Sequence, residues 1–181
     1  MTKRIILAVS GSISAYKAAD LTSRLKKKGY DVHVIMTEAA QAFITPLTLQ
    51  VLSKNPVHTD VMEEKLAEGI NHIDLGKEPD LFIVVPVSAN TIAKLAHGMA
   101  DNMLTATALA LPSTTPKIIA PAMNTKMYEN PLTKKNLDTL HDLGYQEILP
   151  KSGLLACGDT GRGALADIYD IIESIDNALT K

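Results

Sequence analysis

The sequence predicts an α/β fold in which helices cover both faces of a doubly wound parallel sheet. Short apolar runs alternate along the chain with segments of helical periodicity, and the runs are continuous rather than alternating with polar residues. Strands that are buried on both faces give such runs, and they are typical of parallel sheets. An ordered succession of strand and helix therefore indicates a sheet built by crossover connections.

The first strand and the first helix have the clearest boundaries. An apolar run at 3–9 is bounded by Ser10-Gly11, which predicts a buried strand that ends in a tight turn. Residues 15–28 follow with helical spacing, since Ala18, Leu21 and Leu25 fall on one face, and Gly29 provides the stop.

The rest of the chain continues the same alternation. Further strands are predicted at 32–36, 81–85, 117–120 and 146–149, the last three ended by Pro86, Pro121 and Pro150. Further helices are predicted near 46–53, 89–96, 102–110, 130–143 and 167–179. Right-handed crossovers then give a three-layer sandwich, Rossmann-like or flavodoxin-like, with the carboxyl ends of its strands at one edge, where ligands bind.

We expect residues 1–181 to form one domain, because this length suits a single core and no linker interrupts it. The segment at about 151–163, KSGLLACGDTGRG, differs from its surroundings: it contains four glycines and has no periodicity. Such a segment is either a disordered connector or a mobile lid over a site. We expect an irregular lid loop here.

Composition excludes several classes of partner. Eighteen Lys and Arg against twenty Asp and Glu leave a net charge of −2, so no nucleic-acid surface is expected. The apolar start at Ile5 is too short for a signal peptide or a membrane span. A single cysteine cannot form an internal disulfide, which favours a reducing compartment, and we expect the cytoplasm.

Small and polar residues follow three of the predicted strands. They form the segments Gly11 to Lys17, Pro86 to Thr91 and Pro121 to Met127. Each alone is explained by helix capping, but three at one sheet edge predict a crevice lined with neutral hydrogen-bonding groups. Such a crevice suits a flat heteroaromatic ligand that carries a phosphate. The first turn is not G-x-G-x-x-G, which argues against an NAD-binding enzyme.

Two further residues are ambiguous by themselves. His72 has no His or Cys partner at a metal-ligand spacing, since neither His33 nor His58 completes one, and we expect no metal site. A lone histidine is more often structural than catalytic. Cys157 lies in the glycine-rich segment near Asp159, so a place in the core is not expected.

Five short motifs resemble one family. They are Gly11-Ser12-Ile13-Ser14-Ala15-Tyr16-Lys17, His72-Ile73-Asp74-Leu75, Ser88-Ala89-Asn90-Thr91, Pro121-Ala122-Met123-Asn124 with Met127-Tyr128, and Ala156-Cys157-Gly158-Asp159. Together, and in this order, they resemble the homo-oligomeric flavin-containing cysteine decarboxylases. The resemblance is strongest to members that act on 4′-phosphopantothenoylcysteine in coenzyme A biosynthesis.

The resemblance implies a role for each matching residue. His72 is implied as the catalytic histidine and Cys157 as the proton donor, with Asn124 binding the substrate carboxylate beside Met127 and Ala156. FMN is implied as the cofactor, held by Gly11, Ser12, Ile13, Ser14, Thr37, Ser88, Ala89, Asn90, Thr91 and Ala122.

The resemblance also implies the partners and leaves two alternatives open. The substrate would be a small phosphorylated cysteine amide, and the protein a homotrimer or a multiple of trimers such as a dodecamer, with no membrane partner. Because the sequence stops at Lys181, it resembles the monofunctional members, which have no synthetase domain. The alternatives are a peptidyl-cysteine decarboxylase of the same fold and a non-enzymatic flavin-binding regulatory subunit.

Overall fold

The structure is a computed structural model that describes residues 2–62 and 71–180. Its main strands are β1 (Arg4–Val9), β2 (Asp31–Met36), β3 (Val57–His58), β4 (Leu81–Val87), β5 (Lys117–Pro121) and β6 (Tyr145–Glu147). They form one sheet in the order β3-β2-β1-β4-β5-β6, and every neighbouring pair is parallel. The predicted doubly wound parallel sheet is confirmed.

Helices cover both faces of this sheet. They are α1 (Lys17–Lys27), α2 (Glu38–Gln41), α3 (Pro46–Ser53), α4 (Asn71–Lys77), α5 (Ala89–Ala96), α6 (Met103–Leu109), α7 (Thr125–Glu129), α8 (Pro131–Asp142) and α9 (Ile168–Leu179). Successive side chains of β1 point to opposite faces, as they do in any strand. Ile5 and Leu7 pack with α1, α3 and α9, whereas Ile6 and Ala8 pack with α4, α5, α6 and α8. All four side chains are fully buried, so two apolar layers sandwich the sheet.

Several predicted boundaries require correction. Residues 13–16 form a 3₁₀ helix, so α1 begins at Lys17 rather than at residue 15. Strand β4 does not end at Val85 but continues through Pro86 to Val87, because the ladder to β5 resumes after an irregularity between Val84 and Val87. The predicted strand at 146–149 is shifted to 145–147.

The glycine-rich segment is a hairpin and not the irregular loop that its sequence predicts. Strands β7 (Lys151–Leu154) and β8 (Thr160–Ala164) pair antiparallel, and the tip between them spans residues 155–159. The tip is closed by the Leu155 N–H, which donates to the Asp159 carbonyl oxygen at 2.8 Å. Both strands are largely exposed, so no alternating apolar pattern marks them in the sequence.

No helix in the described part of the chain is both long enough and apolar enough to span a membrane.

Candidate active site

A cavity of about 890 Å³ opens at the carboxyl edge of the sheet, beside the ends of β1 and β4. These strands are neighbours in the sheet, although β2 and β3 lie between them in the chain. The connections that leave β1 and β4 therefore run to opposite sides. Ligands of doubly wound sheets bind in the crevice that this reversal creates, and the volume is in the range of small-molecule sites.

The structure brings nearly all of the predicted site residues to this cavity. The predicted cofactor-binding residues all line it: Gly11, Ser12, Ile13, Ser14, Thr37, Ser88, Ala89, Asn90, Thr91 and Ala122. The predicted substrate-binding residues and the predicted proton donor line it as well: Asn124, Met127, Ala156 and Cys157. Only His72, discussed below, is placed differently.

Ser10 joins the two central strands at the cavity floor. Its fully buried hydroxyl group donates to the Pro86 carbonyl oxygen at 2.9 Å and accepts from the Ser88 N–H at 2.8 Å. A buried hydroxyl group with both roles satisfied costs little and fixes the geometry around it. Sequence reasoning did not single out Ser10. The signal available was a hydroxyl residue that directly follows a continuous apolar strand.

The turn after β1 is shaped by close contact with α2. A Cβ atom at position 11 would lie 2.6 Å from the Ala39 Cβ, so only glycine fits between the two segments. Ser12 then accepts from the Ser14 N–H at 3.2 Å and starts the 3₁₀ helix. Thr37 caps α2 by accepting from the Ala40 N–H, also at 3.2 Å. Gly11, Ser12 and Thr37 line the cavity, so this tightly packed turn forms its wall on this side.

The first turn of α5 also borders the cavity. Ser88 is the N-cap, and its hydroxyl oxygen accepts from the Thr91 N–H at 3.2 Å. The Thr91 hydroxyl group lies 3.1 Å from the Ser88 hydroxyl group. The positive end of the helix dipole and the first N–H groups of α5 meet at this point, which favours a phosphate or another anion.

Lys94 and Asp101 form an ion pair on the same wall, with 2.5 Å between Nζ and Oδ2. The hydrogen bond from Lys94 holds the pKa of the Asp101 carboxyl group below its ordinary value. The sequence did not indicate this pair. Its members are seven residues apart, one on α5 and one beyond its end, and only the turn between α5 and α6 brings them together.

Asn124, Cys157 and Asp159 are in mutual contact at the cavity mouth. The Asn124 side-chain oxygen accepts from the Lys126 N–H at 2.8 Å and so caps α7, which turns its amide nitrogen toward the hairpin. That nitrogen donates to Cys157 Sγ at 3.1 Å and to Asp159 Oδ2 at 2.8 Å. Hydrogen bonds from Asn124 and then from Cys157 hold the pKa of Asp159 below its ordinary value, so the carboxylate form is favoured.

Two glycines allow the hairpin to come this close. A Cβ atom at position 163 would lie 2.2 Å from the Met123 carbonyl oxygen, and one at position 161 would lie 2.6 Å from Thr125 Oγ1. The Met123 N–H donates to the Gly163 carbonyl oxygen at 3.0 Å. Strand β8 is therefore pressed against the backbone that begins α7, and its glycines are explained by this contact as well as by turn formation.

Tyr128 anchors α7 from below. Its ring is buried, and its hydroxyl group donates to Glu147 Oε1 on β6 at 2.9 Å. Burial, and then the hydrogen bond to Glu147, raises the pKa of the Tyr128 hydroxyl group above its ordinary range. The ammonium group of Lys134 lies 3.7 Å from the centre of the ring. These contacts hold the short helix whose N-cap is Asn124.

His72 is not among the described residues that line the cavity. It is the second residue of α4, which packs against α6. Its side chain is partly buried, and Nδ1 is shielded from solvent with no hydrogen-bond partner among the described residues. Within one chain, the structure therefore does not place His72 beside Asn124 and Cys157.

Residues 1–180 match the protein-family model described as Flavoprotein. The chain belongs to the Flavoprotein family. The resemblance predicted from the five motifs is thereby confirmed at the level of the family.

Two relatives are similar to this chain over nearly its whole length. The chain is 63% identical over 179 residues to a probable phosphopantothenoylcysteine decarboxylase of Streptococcus mutans, covering 99% of this chain and 100% of that relative. It is 48% identical over 171 residues to the coenzyme A biosynthesis bifunctional protein CoaBC of Bacillus subtilis. That match covers 94% of this chain but only 42% of the bifunctional protein.

Solved structures extend the comparison to bound ligands. A PPC decarboxylase mutant complexed with pantothenoylaminoethenethiol superposes with a TM-score of 0.89 at 32% identity, and the match covers 100% of both chains. The FMN-dependent cysteine decarboxylase SpaF superposes with a TM-score of 0.85, also at 32% identity, over 98% of this chain and 95% of that one.

The residues of the cavity fit a flavin mononucleotide, which agrees with the chain's membership of the Flavoprotein family. Gly11 lets the turn after β1 pack against α2 at the cavity wall, the first turn of α5 suits a single phosphate, and Ser12, Ser14 and Asn90 offer hydrogen bonds.

Proposed function

We propose that this protein is an FMN-dependent carboxy-lyase that converts 4′-phosphopantothenoyl-L-cysteine to 4′-phosphopantetheine in coenzyme A biosynthesis. The observation that carries the proposal is the contact between the Asn124 amide and Cys157 Sγ, 3.1 Å apart, at the mouth of a cavity that fits a flavin. The similarity to the Streptococcus mutans relative along the whole chain supports the choice of substrate.

The chemistry explains why a redox cofactor belongs in a decarboxylase. Direct loss of CO₂ from a cysteinyl carboxylate would leave a carbanion with no group to stabilise it. Bound FMN would accept two electrons from the cysteinyl thiol and the adjacent carbon and later return them to the product. Oxidation of the thiol to a thioaldehyde provides an electron sink, so that CO₂ can leave and an enethiolate remains. Residues of the chain then have three tasks, which are to bind the carboxylate, to move protons and to exclude water.

Asn124 is the proposed ligand of the substrate carboxylate. Its side-chain oxygen is occupied by the Lys126 N–H, so the amide nitrogen is held with a fixed orientation toward the hairpin tip, whose Cys157 lines the cavity with Asn124. An amide N–H₂ group donates to a carboxylate without carrying a charge of its own. The carboxylate bound there can therefore leave as uncharged CO₂ without separating from a cation.

Cys157 is the proposed proton donor in the reductive half of the reaction. It is a free thiol at the tip of the hairpin, and it lines the cavity beside Asn124. The carbon atom from which the Asn124-bound carboxylate leaves would lie within reach of a proton donor in this position. The two electrons returned by the cofactor and the proton from Cys157 give the saturated product. The hairpin is then the proposed lid that excludes water.

We propose that the active form is a homo-oligomer, a trimer or a multiple of trimers such as a dodecamer, in which His72 reaches the cavity of a second copy. This accounts for a His72 that does not line the cavity of its own chain. Ile13 and Tyr16 line the cavity but are each 59% exposed, so its rim has apolar groups that another chain could cover. In that position the imidazole serves proton transfer in the oxidative half.

A stripe of exposed apolar side chains supports association of copies. Phe43, Leu47 and Val51 are spaced four residues apart along α3 and the turn before it, and each is about half exposed or more. Large apolar side chains at this spacing form one continuous surface on a helix, and a second chain is the usual cover.

The proposed location is the cytoplasm, in keeping with one free thiol and with a soluble small-molecule substrate. The experiment that tests the function uses purified, flavin-loaded protein and 4′-phosphopantothenoyl-L-cysteine. We expect yellow protein whose released cofactor is FMN, stoichiometric CO₂ and a product with the mass of 4′-phosphopantetheine. The matched control substrate is the serine analogue, which has no thiol to oxidise and must not react. A product two hydrogens lighter from the wild-type protein would instead indicate an enzyme of the peptidyl-cysteine decarboxylase type.

A further inference from the structure

Asp159 occupies a position that the proposed function reserves for the substrate. The Asn124 amide nitrogen has two hydrogens, and the chain itself uses both, one toward Cys157 Sγ and one toward Asp159 Oδ2. The Asp159 carboxylate is therefore bound to Asn124, the residue that we propose as the ligand of the substrate carboxylate. A substrate carboxylate that binds this amide has to displace one of the two contacts, and Asp159 is the one whose negative charge would oppose it across the shared nitrogen.

The surroundings of Asp159 are consistent with a group that exchanges rather than one that is locked in place. Its side chain is exposed at the hairpin tip, and its described polar partners are Asn124 and Cys157, with Lys126 on α7 as the nearby positive charge. Cys157 Sγ lies 3.6 Å from the same Oδ2 atom that contacts Asn124. Any movement of the Asp159 carboxylate away from Asn124 therefore changes the environment of the thiol as well.

We infer that Asp159 is a positioning residue that holds the carboxylate subsite on Asn124 in the ligand-free protein, yields it to the substrate, and returns once the substrate carboxylate has left as CO₂. Its return brings Cys157 back beside Asn124, next to the decarboxylated intermediate. Asp159 thus distinguishes a ligand that still carries its carboxylate from one that has lost it. The inference rests on the proposed function, because it takes Asn124 as the carboxylate ligand.

Two unreactive ligands test this inference. 4′-Phosphopantothenoylserine carries the carboxylate but no thiol, and the corresponding ethanolamine amide lacks the carboxylate and is otherwise identical. Binding of each to the FMN-loaded protein is measured by titration calorimetry for the wild type and for Asp159→Asn. We expect the variant to bind the serine analogue roughly 10- to 100-fold more tightly, the range that loss of one competing charge-assisted hydrogen bond gives. The ethanolamine amide should bind equally well to both proteins.

The matched control is Asp167→Asn. Asp167 is an exposed carboxylate just beyond the hairpin, where it pairs with Lys151 at the start of β7, and it does not line the cavity. Its substitution removes one negative charge and one tie of the hairpin without touching Asn124. We expect it to leave the ratio of the two affinities unchanged.

A second readout follows the turnover of 4′-phosphopantothenoyl-L-cysteine without oxygen. Asp159→Asn should bleach the flavin at least as fast as the wild type but recover its colour more slowly, by about tenfold, because Cys157 is no longer guided back. If the substitution merely loosened the hairpin, both analogues would bind the variant more weakly, and that result would overturn the inference. So would a variant that binds the serine analogue less tightly or with unchanged affinity. If the wild-type protein neither turns over 4′-phosphopantothenoyl-L-cysteine nor binds the serine analogue, the proposed function itself is overturned.

Discussion

The hydroxyl group of Ser10, at the end of β1, accepts a hydrogen bond from the backbone N–H of Ser88, 2.8 Å away at the end of β4. Because Ser88 in turn caps α5, one side chain fixes the distance between the turn after β1 and the helix N-terminus that faces it. Both segments border the cavity, so the geometry of the proposed flavin site depends on a residue that does not line it.

We expect Ser10→Ala to destabilise the protein by about 1–3 kcal/mol, since it leaves the Ser88 N–H without its partner in a partly buried place. The Pro86 carbonyl oxygen keeps the hydrogen bond that it accepts from the Ser10 backbone N–H at 3.2 Å. FMN affinity should fall along with the stability. Urea unfolding and flavin fluorescence titration measure the two effects. Ser174→Ala is the control, because its exposed hydroxyl group bonds only within α9, and its effect should stay within about 0.5 kcal/mol. Equal effects of the two variants would contradict the role of Ser10.

Gly163→Ala is expected to separate the hairpin from Asn124. The added Cβ atom would lie 2.2 Å from the Met123 carbonyl oxygen, so β8 has to move away. Misplacement of a catalytic group by about 1 Å can lower a rate by about 100-fold. We expect a loss of this size in the rate at which the flavin returns to its oxidised form during anaerobic turnover. Gly153 lies on the facing strand, and a Cβ atom added there would have no atom within 4 Å, so Gly153→Ala should retain the wild-type rate. Similar rates for both variants would refute the close contact.

Much of the fold could be predicted because the central strands are buried on both faces. The residues of β1 and β4 form continuous apolar runs, and α3 and α5 have the predicted bounds 46–53 and 89–96. The hairpin could not be predicted, since its strands are exposed and are held by backbone contacts to Met123 and not by an apolar face. Short helices such as α2 have too few residues to show a period.

Asn124→Asp should nearly abolish substrate binding while FMN stays bound. The amide donor is replaced by an anion that faces the substrate carboxylate and also Asp159, so the Michaelis constant should rise at least about 100-fold. Steady-state kinetics and the visible spectrum of the purified variant provide the measurement. Asn130→Asp is the control, since Asn130 caps α8 in the same way but does not line the cavity. An unchanged Michaelis constant for Asn124→Asp would remove Asn124 from the carboxylate site.

Cys157→Ser should stop the reaction after CO₂ has left. A serine hydroxyl group is a far weaker acid than a thiol, so proton donation slows by orders of magnitude. Without oxygen the flavin should bleach and stay reduced, and mass spectrometry should find a product two hydrogens lighter than 4′-phosphopantetheine. A saturated product formed by the variant at the wild-type rate would end the proposed role of Cys157.

His72→Asn should block the oxidative half, with a rate loss of about 10²–10⁴, so that the flavin stays yellow when substrate is added without oxygen. His97→Asn is the control, because His97 is exposed at the end of α5 and contacts only the backbone of its own helix. Mixed oligomers of His72→Asn and Cys157→Ser chains provide the test of the interface. If His72 acts on a neighbouring copy, mixing restores activity, because some sites then combine an intact His72 with an intact Cys157. Mixed oligomers that stay inactive after subunit exchange would contradict the proposed action of His72 on a second copy.

The site was partly predictable for a physical reason. Polar turns after parallel strands converge at one edge whatever the details of packing, so the turns that line the cavity could be predicted from their positions in the chain. The roles of single residues in holding FMN come from the family resemblance and stay a prediction. The Asp159 contact and the Lys94–Asp101 pair depend on how two loops meet, which no local pattern encodes. In the proposed oligomer the position of His72 relative to a cavity would depend on how copies associate, which the pattern of a single chain does not encode.

The glycine contact at the base of the hairpin also determines which part of it can swing. Strand β8 is clamped to the start of α7 through Gly163 and crowded against Thr125 at Gly161, so the base works as a fixed pivot. Motion is then confined to the five residues of the tip, which carry both Cys157 and Asp159. With the proposed roles, movement of the tip would open the site to a substrate and withdraw Cys157 from it at the same time, so a cross-link that holds the tip in place should prevent both.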